Sequence, residues 1–229
     1  YKLVSFGTRN TLSTQDNATR GIGAARRWIL SRFNEYAKQS EGRLTAFIDT
    51  ITYISDGKRV NRPINLGNVV ATLKGTDPND HRIFIMSGHM DNMRTSVMDS
   101  VGDAPGANDD GSGTVAVMEC ARVMSKHKFP ATIIFVTVAG EEQGLLGAYF
   151  MAKKAKKENW AIEAVLNNDI MGSNNSNETN IIENTKAAAL LRAGVVRAAG
   201  HVGGQTGRSG VCASLQAQGQ TGSGHRGAR

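Results

Sequence analysis

The amino-acid sequence predicts an α/β fold in which a mostly parallel, mixed central sheet is flanked by helices on both faces. Two observations carry this prediction. Short apolar runs typical of buried strands alternate with longer segments whose apolar residues recur at helical spacing. The order strand, helix, strand, helix, strand in the middle of the chain favours right-handed crossovers onto parallel strands. The 229 residues are enough for one domain of this kind around a single core.

Each element has its own signal in the sequence. The first helix, over 21–39, has apolar residues close to helical spacing and basic residues on the remaining face. Two strands rich in β-branched residues follow, and then a short apolar strand, a helix, a strand, a helix with a lysine-rich end and a last strand. These elements are predicted at 44–54, 68–73, 83–86, 114–126, 131–139, 145–157 and 161–166. The Gly, Pro, Asn and Asp residues of 99–110 predict a loop, and 111–113 is the expected entry turn of the next helix.

The composition divides the chain at about residue 186. We predict an α/β domain over 1–186 and an atypical Gly-, Ala- and Arg-rich tail over 187–229, in which only 187–199 has the character of a helix. Ten of the last 43 residues are Gly. This composition indicates either disorder or a frame-shifted reading in place of the native C-terminal third. The α/β domain is therefore expected to be truncated at its C-terminal end.

The net charge of +7 does not indicate nucleic-acid binding, because of where the charges lie. Residues 1–186 hold 22 Lys and Arg against 20 Asp and Glu, so most of the excess is scattered through the tail. The tail has no aromatic residue on which a base could stack, and we expect no nucleic-acid partner. The longest apolar stretch, 131–139, is too short to cross a bilayer, so no membrane span is expected.

Four short clusters of acidic residues, one of them with a histidine, lie at the ends of predicted strands or at the start of a predicted helix. Taken alone, each has an ordinary explanation, such as a helix cap or a hydrogen-bonded histidine. Residues at the carboxyl ends of parallel strands meet along one edge of a sheet, so four such clusters indicate a shared site. Divalent cations would remove the repulsion among its carboxylates. The clusters are Ser87-Gly88-His89-Met90-Asp91, Gly106-Ala107-Asn108-Asp109-Asp110-Gly111-Ser112-Gly113, Gly140-Glu141-Glu142-Gln143-Gly144 and Asn167-Asn168-Asp169.

The residue types in these clusters favour zinc. One imidazole with several carboxylates suits Zn²⁺, or Co²⁺ or Mn²⁺ in its place, whereas an all-oxygen set would favour Mg²⁺ or Ca²⁺. With bridging carboxylates, two ions roughly 3.5–4 Å apart could share one hydroxide. Asp91 is placed to orient the imidazole of His89 through its second ring nitrogen. Glu141 and Glu142 are adjacent, so one side chain can bind metal while the other stays free as a general base.

Together, these motifs resemble the M28 family of co-catalytic zinc aminopeptidases. The resemblance extends over roughly residues 4–182. It implies a zinc-peptidase-like fold, two Zn²⁺ ions, and hydrolysis of the N-terminal peptide bond of a peptide with a free N-terminus. It also implies a secreted or periplasmic location. The motifs that carry it are His89-Met90-Asp91, 108–113, 140–147 and Asn168-Asp169.

The resemblance also implies a role for each residue of the site. His89 and Asp169 would bind the first zinc ion, Glu142 would bind the second, and Asp109 would bridge both. Glu141 would be the general base toward the water between the ions.

Two further details follow from the same resemblance. Asp91 would be the partner that orients His89. A cis peptide bond would join Asp109 to Asp110.

The pattern of the family is incomplete in one respect. A fifth ligand, a histidine from the last third of the domain, is expected, and only His201 and His225 stand in that part of the chain. His81 and His127 are predicted to be surface residues. Three alternatives to an aminopeptidase stay open: a related carboxypeptidase, a glutaminyl cyclase, and an inactive, truncated metal-binding remnant. The motif leading from Glu141 into Gly144-Leu145-Leu146-Gly147 favours the aminopeptidase.

Overall fold

A computed structural model of the protein describes residues 1–171 and the backbone of a strand at 194–197. The predicted helices and strands of residues 21–166 are confirmed to within a few residues at their ends. A 3₁₀ turn at Val4–Phe6 precedes them. The elements are α1 Gly21–Ala37, β1 Leu44–Tyr53, β2 Ile64–Leu73, β3 Ile83–His89, α2 Gly111–Met124, β4 Thr132–Val138, α3 Leu146–Lys157, β5 Ile162–Asn167 and β6 Gly194–Arg197.

The strands form one mixed sheet in the order β1-β2-β4-β3-β5-β6. As predicted, the crossovers through α2 and α3 make β4, β3 and β5 parallel. The expected majority of parallel pairs is not found among the described strands, where the other three of the five pairings are antiparallel. The link at 54–63 is too short for a crossover connection, so β1 and β2 must form a hairpin. The helical character predicted for 187–199 is also wrong at 194–197, which pair with β5.

Helices cover both faces of the sheet, as predicted. On one face α1 and α2 bury Ile29, Phe33 and Val117 against side chains that include Val69 and Phe135. On the other face Met151 of α3 packs in a second cluster, with Val70, Ile134 and Val136. The alternation of the two clusters along β2 and β4 is the period-two pattern of strands that are buried on both faces. Within the described residues, no helix has the length and apolar character needed to cross a membrane.

The first turn of α2 lies directly against the ends of β3 and β5. A Cβ atom on Gly88 would lie 2.8 Å from the main-chain carbon of Gly113, and a Cβ on Gly113 would lie 2.3 Å from the carbonyl oxygen of Asn168. Only glycine allows this close approach. The predicted entry turn 111–113 is the first turn of the helix itself. Its close approach to the strand ends brings the preceding acidic residues to the edge of the sheet.

The register of β3 with its two neighbours defines this edge further. His89 at the end of β3 is paired with Val138, two residues before Gly140. Ser87 is paired with Asn167, two residues before Asp169. Three of the four acidic clusters therefore begin at adjacent strand ends.

Replacement of Phe135 by Ala tests the core. Phe135 lies in the central strand β4 and is fully buried, so we expect Phe135→Ala to lower the free energy of unfolding by about 3–5 kcal/mol. Urea-induced unfolding measures the loss. Phe47→Ala is the matched control, because Phe47 is 44% exposed on the edge strand β1, so this variant should lose less than about 1 kcal/mol of unfolding free energy. Similar losses in the two variants would contradict this packing.

Candidate metal site

His89 lies at the centre of the acidic edge of the sheet. Its Nε2 atom is 3.1 Å from Asp109 Oδ1 and 3.6 Å from Asp169 Oδ1, and the residue is 4% exposed. The Nδ1 atom lies 3.2 Å from the main-chain carbonyl of Asp91, to which it can donate only if it carries the ring proton. A neutral ring with this tautomer presents the lone pair of Nε2 to two carboxylate oxygens. Each of these oxygens then faces another acceptor, the ring nitrogen, and a positive charge next to Nε2 would relieve both contacts.

The electrostatics of the site show the same demand for a positive charge. Burial lowers the pKa of His89, but the nearby carboxylates of Asp109, Asp169 and Asp91 outweigh burial and raise that pKa overall. The same contact with His89 lowers the pKa of Asp109. Asp169 Oδ1 is buried and accepts no hydrogen bond from the described residues. A buried acceptor of this kind fits a divalent cation, and so does the set of one imidazole and two carboxylates.

Asp109 and Asp110 are adjacent but have different surroundings. The peptide bond between them is cis, as the sequence resemblance implies. Asp109 is 52% exposed at its side chain and has its carboxylate next to His89 Nε2. Asp110 is fully buried and caps α2, with Oδ1 accepting the N–H of Gly113 at 2.8 Å and Oδ2 accepting the N–H of His89 at 2.9 Å. Burial raises the pKa of Asp110 to about 7.

Asp110 also belongs to the one group of potential metal ligands found among the described residues. In this group, His89, Asp110 and Asp169 each offer a ligand atom within 4.8 Å of the others. Both carboxylate oxygens of Asp110 already accept main-chain hydrogen bonds. Asp109 has its carboxylate at the ring nitrogen, so it is the better-placed ligand of the two.

Asp91 connects two loops of the site. It is fully buried, and its carboxylate accepts the main-chain N–H groups of Glu141 at 3.2 Å and Glu142 at 3.1 Å, together with the hydroxyl of Thr11 at 3.1 Å. The carboxylate is 3.6 Å from His89 Nδ1, whereas the main-chain carbonyl is 3.2 Å away. Asp91 therefore contacts the imidazole more closely through its main-chain carbonyl than through the carboxylate that was expected to orient the ring. The carboxylate fixes the position of the Glu141-Glu142 turn.

Glu141 and Glu142 follow β4 and are both partly buried. Burial is the main cause that raises the pKa of each side chain, in the case of Glu142 to about 7. The negative charges of Asp91 and Asp109 also raise both pKa values, so the two glutamates belong to the same electrostatic cluster. The main-chain carbonyl of Glu142 accepts a hydrogen bond from Arg59 Nε at 3.0 Å, which links the turn to the hairpin at 54–63.

Several residues that support the site have no signal in the sequence. Asn68 in β2 is 1% exposed; it accepts the N–H of Ala139 at 3.0 Å and donates to the carbonyl of Gly147 at 2.9 Å, on either side of the glutamate turn. Thr114 in α2 donates its hydroxyl to the carbonyl of His89 at 2.8 Å. These bonds join side chains to main-chain atoms, which no motif in the sequence records.

The other histidines stand as follows. His81 and His127 are exposed, which confirms their prediction as surface residues. His201 and His225, the two residues considered for a fifth ligand, lie outside the described residues.

Most of the chain, including all four acidic clusters, matches one known protein family. The family model described as "Peptidase family M28" matches residues 68–214, which include every acidic cluster of the site. The chain belongs to this family. The match also continues past residue 186, the boundary predicted from composition.

Curated members of related sequence carry names of the same kind. A protein of Leptosphaeria maculans named "Probable zinc metalloprotease" is 48% identical over 173 residues, which are 75% of this chain and 39% of that protein. A protein of Pyricularia oryzae with the same name is 49% identical over 173 residues, again 75% of this chain and 34% of its own length. The chain therefore spans little more than a third of the length of these relatives.

Solved structures show the same fold. The LapA aminopeptidase of Legionella pneumophila is 26% identical to this M28 chain, with a TM-score of 0.56 over 76% of the chain and 42% of LapA. Glutaminyl cyclase of Porphyromonas gingivalis has a TM-score of 0.59 over 75% of the chain and 58% of its own length, at 17% identity. The likeness to the cyclase shows the fold alone.

The variant Asp91→Asn tests the link between Asp91 and the glutamate turn. Asn would replace one acceptor oxygen by a donor that faces an N–H or hydroxyl donor in a buried site. We expect the free energy of unfolding to fall by about 2 kcal/mol, measured by urea-induced unfolding in the presence of a chelator.

The control for this prediction is Asp56→Asn. Asp56 Oδ1 also accepts three main-chain N–H bonds, from Lys58, Arg59 and Val60, but in an exposed turn where water can replace them. A much smaller loss is expected there. Equal losses in the two variants would show that the buried link contributes nothing of its own.

Proposed function

We propose that this chain is the metal-binding part of an aminopeptidase that hydrolyses the N-terminal peptide bond of a peptide with a free N-terminus. The observation that carries the proposal is the meeting of the Asp109 and Asp169 carboxylates at Nε2 of the buried His89. The 26% identity to the LapA aminopeptidase supports this activity. A secreted or periplasmic location is part of the proposal and rests on the family resemblance.

Zinc is the proposed metal, and the complete site would hold two ions. The set of one imidazole and several carboxylates suits zinc, and the relatives from Leptosphaeria maculans and Pyricularia oryzae are named as zinc metalloproteases. His89 and Asp169 would hold the first ion, Asp109 would hold both, and Glu142 would hold the second. When bound, zinc supplies a Lewis acid that polarises the scissile carbonyl and makes water a stronger nucleophile.

Glu141 is the proposed general base and acid. Its carboxylate would accept the proton of the attacking water and then deliver it to the amine that leaves. Asp91 holds the main-chain N–H groups of both Glu141 and Glu142, so the two side chains leave the turn from fixed positions. Adjacent residues of a fixed turn project in different directions, which lets one carboxylate bind metal while the other handles the proton.

Glu141→Gln tests the proposed base. Gln keeps the size of the side chain but cannot take up the proton, so we expect hydrolysis of a leucine-anilide substrate to fall by about 10²–10⁴-fold. The zinc content, measured by elemental analysis, should stay at the wild-type value. Glu163→Gln, at an exposed position of β5, is the matched control and should keep full activity. A Glu141→Gln variant with near-wild-type turnover would contradict the mechanism.

His89→Ala tests the metal site independently of activity. Removal of the only imidazole in the described part of the site should abolish tight zinc binding, measured by elemental analysis after dialysis. His127→Ala is the control, because His127 is exposed and lies in the segment between α2 and β4. Equal zinc content in the two variants would rule out His89 as a ligand.

The substrate assay also separates the alternatives. Turnover of a leucine-anilide supports the aminopeptidase, release of a C-terminal residue would support a carboxypeptidase, and cyclisation of an N-terminal glutamine would support a glutaminyl cyclase. Zinc binding with none of these activities would identify the chain as an inactive metal-binding remnant.

A further inference from the structure

We propose that Arg9 is a positioning residue for the metal site: its buried guanidinium holds together the two ends of the loop at 90–110, which connects β3 to α2 beside the ligands, and thereby sets the zinc affinity. This inference rests on the zinc site proposed above. Arg9 lies in the N-terminal segment, 80 residues before His89, and it is 1% exposed.

The guanidinium of Arg9 donates to four main-chain carbonyl groups. Its Nε atom donates to Met90 at 2.8 Å, and its Nη2 atom donates to Gly106 at 2.7 Å. Its Nη1 atom donates to Pro105 at 2.9 Å and to Leu3 at 3.2 Å. The planar fork of arginine can serve several acceptors at fixed angles, whereas a lysine ammonium cannot reach all of them from one position.

A second set of hydrogen bonds, which includes the main-chain N–H of Arg9, joins the N-terminal segment to both ends of the loop at 90–110. The Arg9 N–H donates to Asn92 Oδ1 at 2.9 Å, and Asn92 Nδ2 donates to the carbonyl of Ala104 at 2.7 Å. The N–H of Ala104 in turn donates to the carbonyl of Gly7 at 2.8 Å. Arg9 and Asn92 therefore close a ring of contacts among the N-terminal segment and the two ends of the loop at 90–110.

Two of the acceptors of Arg9 lie within three residues of proposed ligands, His89 and Asp109. Met90 is the residue directly after His89, so its carbonyl is fixed next to the imidazole. Gly106 precedes Asp109 by three residues, and its carbonyl also accepts the N–H of Gly111 at 3.0 Å, which closes the turn that carries Asp109. A shift of either end of this loop would change the 3.1 Å distance between His89 Nε2 and Asp109 Oδ1.

The charge of Arg9 does not explain a benefit to the metal site. Within the part of the chain that the structure describes, no carboxylate lies within 4.0 Å of the guanidinium, and its hydrogen-bond acceptors are neutral carbonyls. A cation near a zinc ion opposes binding by electrostatic repulsion. The benefit of Arg9 to the site must therefore come from the geometry of its fork, and retention of the charge alone should not preserve zinc affinity.

The experiment compares Arg9→Lys with Arg9→Met in the intact chain. The first keeps the charge without the fork, and the second removes both. The zinc dissociation constant is measured by competition with a chelator, and the visible spectrum of the Co²⁺-substituted protein reports the coordination geometry. We expect both variants to bind zinc about 10–100-fold more weakly and to change the Co²⁺ spectrum, as loss of partners around metal ligands does elsewhere.

Arg26→Lys is the matched control for the cost of altering a buried arginine. Arg26 is 6% exposed in α1, donates to the carbonyl of Asn65 at 3.1 Å and also bonds to Gln15, far from the proposed ligands. This variant should lose stability while keeping the zinc dissociation constant and the Co²⁺ spectrum of the wild type. The comparison separates a role in the metal site from a general role in folding.

The outcomes distinguish this inference from the function on which it rests. A wild-type chain that binds no zinc would overturn the proposed metal site and the inference with it. A zinc-binding wild type with an unchanged constant and spectrum in Arg9→Lys would overturn the inference alone. If the Arg9 variants do not fold, Asn92→Ala takes their place, because it keeps the guanidinium and breaks the bonds to Arg9 and Ala104. It should also weaken zinc binding, and an unchanged constant would overturn the inference.

Discussion

The structure depends on how it accommodates six carboxylates and one imidazole at a single edge of a sheet. Like charges this close repel one another, and burial adds a desolvation cost that raises the pKa of Glu142 and of Asp110 to about 7. The protein meets this cost in two ways. Some carboxylates are bonded by main-chain N–H groups, whose dipoles are fixed in the fold. Two others, Asp109 and Asp169, face the ring of His89, where a cation is needed.

This division explains why adjacent acidic residues are not equivalent. Asp110 has both oxygens bonded to main-chain N–H groups, and so has Asp91, with the Thr11 hydroxyl in addition. These two residues hold strand ends and turns in place. Asp109 and Asp169 have their oxygens at the ring nitrogen, and Asp169 Oδ1 is buried without a hydrogen-bond donor from the described residues. The acidic residues of the motifs thus include a supporting pair and a pair that demands a cation.

The sequence predicts the elements and the site edge well, because both depend on local patterns. Apolar periodicity predicts each helix and strand of residues 21–166, and the chain direction in β4, β3 and β5 predicts which residues meet. Other features leave no local pattern. The antiparallel pairing of β2 with β4 depends on contacts between distant segments. The acceptors of Arg9 are carbonyl groups, which every residue has, so the sequence gives no sign of these contacts. Five of the six residues at 8–13 are polar, which is typical of an exposed segment, yet all six are buried.

The burial of this polar segment follows from what lies next to it. Residues 90–106 belong to the loop between β3 and α2, which has no neighbouring strand among the described residues to donate to its carbonyl groups. Buried carbonyl groups without donors are costly. The N-terminal segment supplies those donors: Arg9 to Met90 and Gly106, and Asn10 to the carbonyl of Val97 at 2.9 Å. The side chains of Arg9 and Asn10 thus donate the hydrogen bonds that a neighbouring strand would otherwise donate from its main chain. An apolar segment could fill the same volume, but it could not donate hydrogen bonds to the carbonyl groups of this loop, and the ligands beside the loop would lose that support.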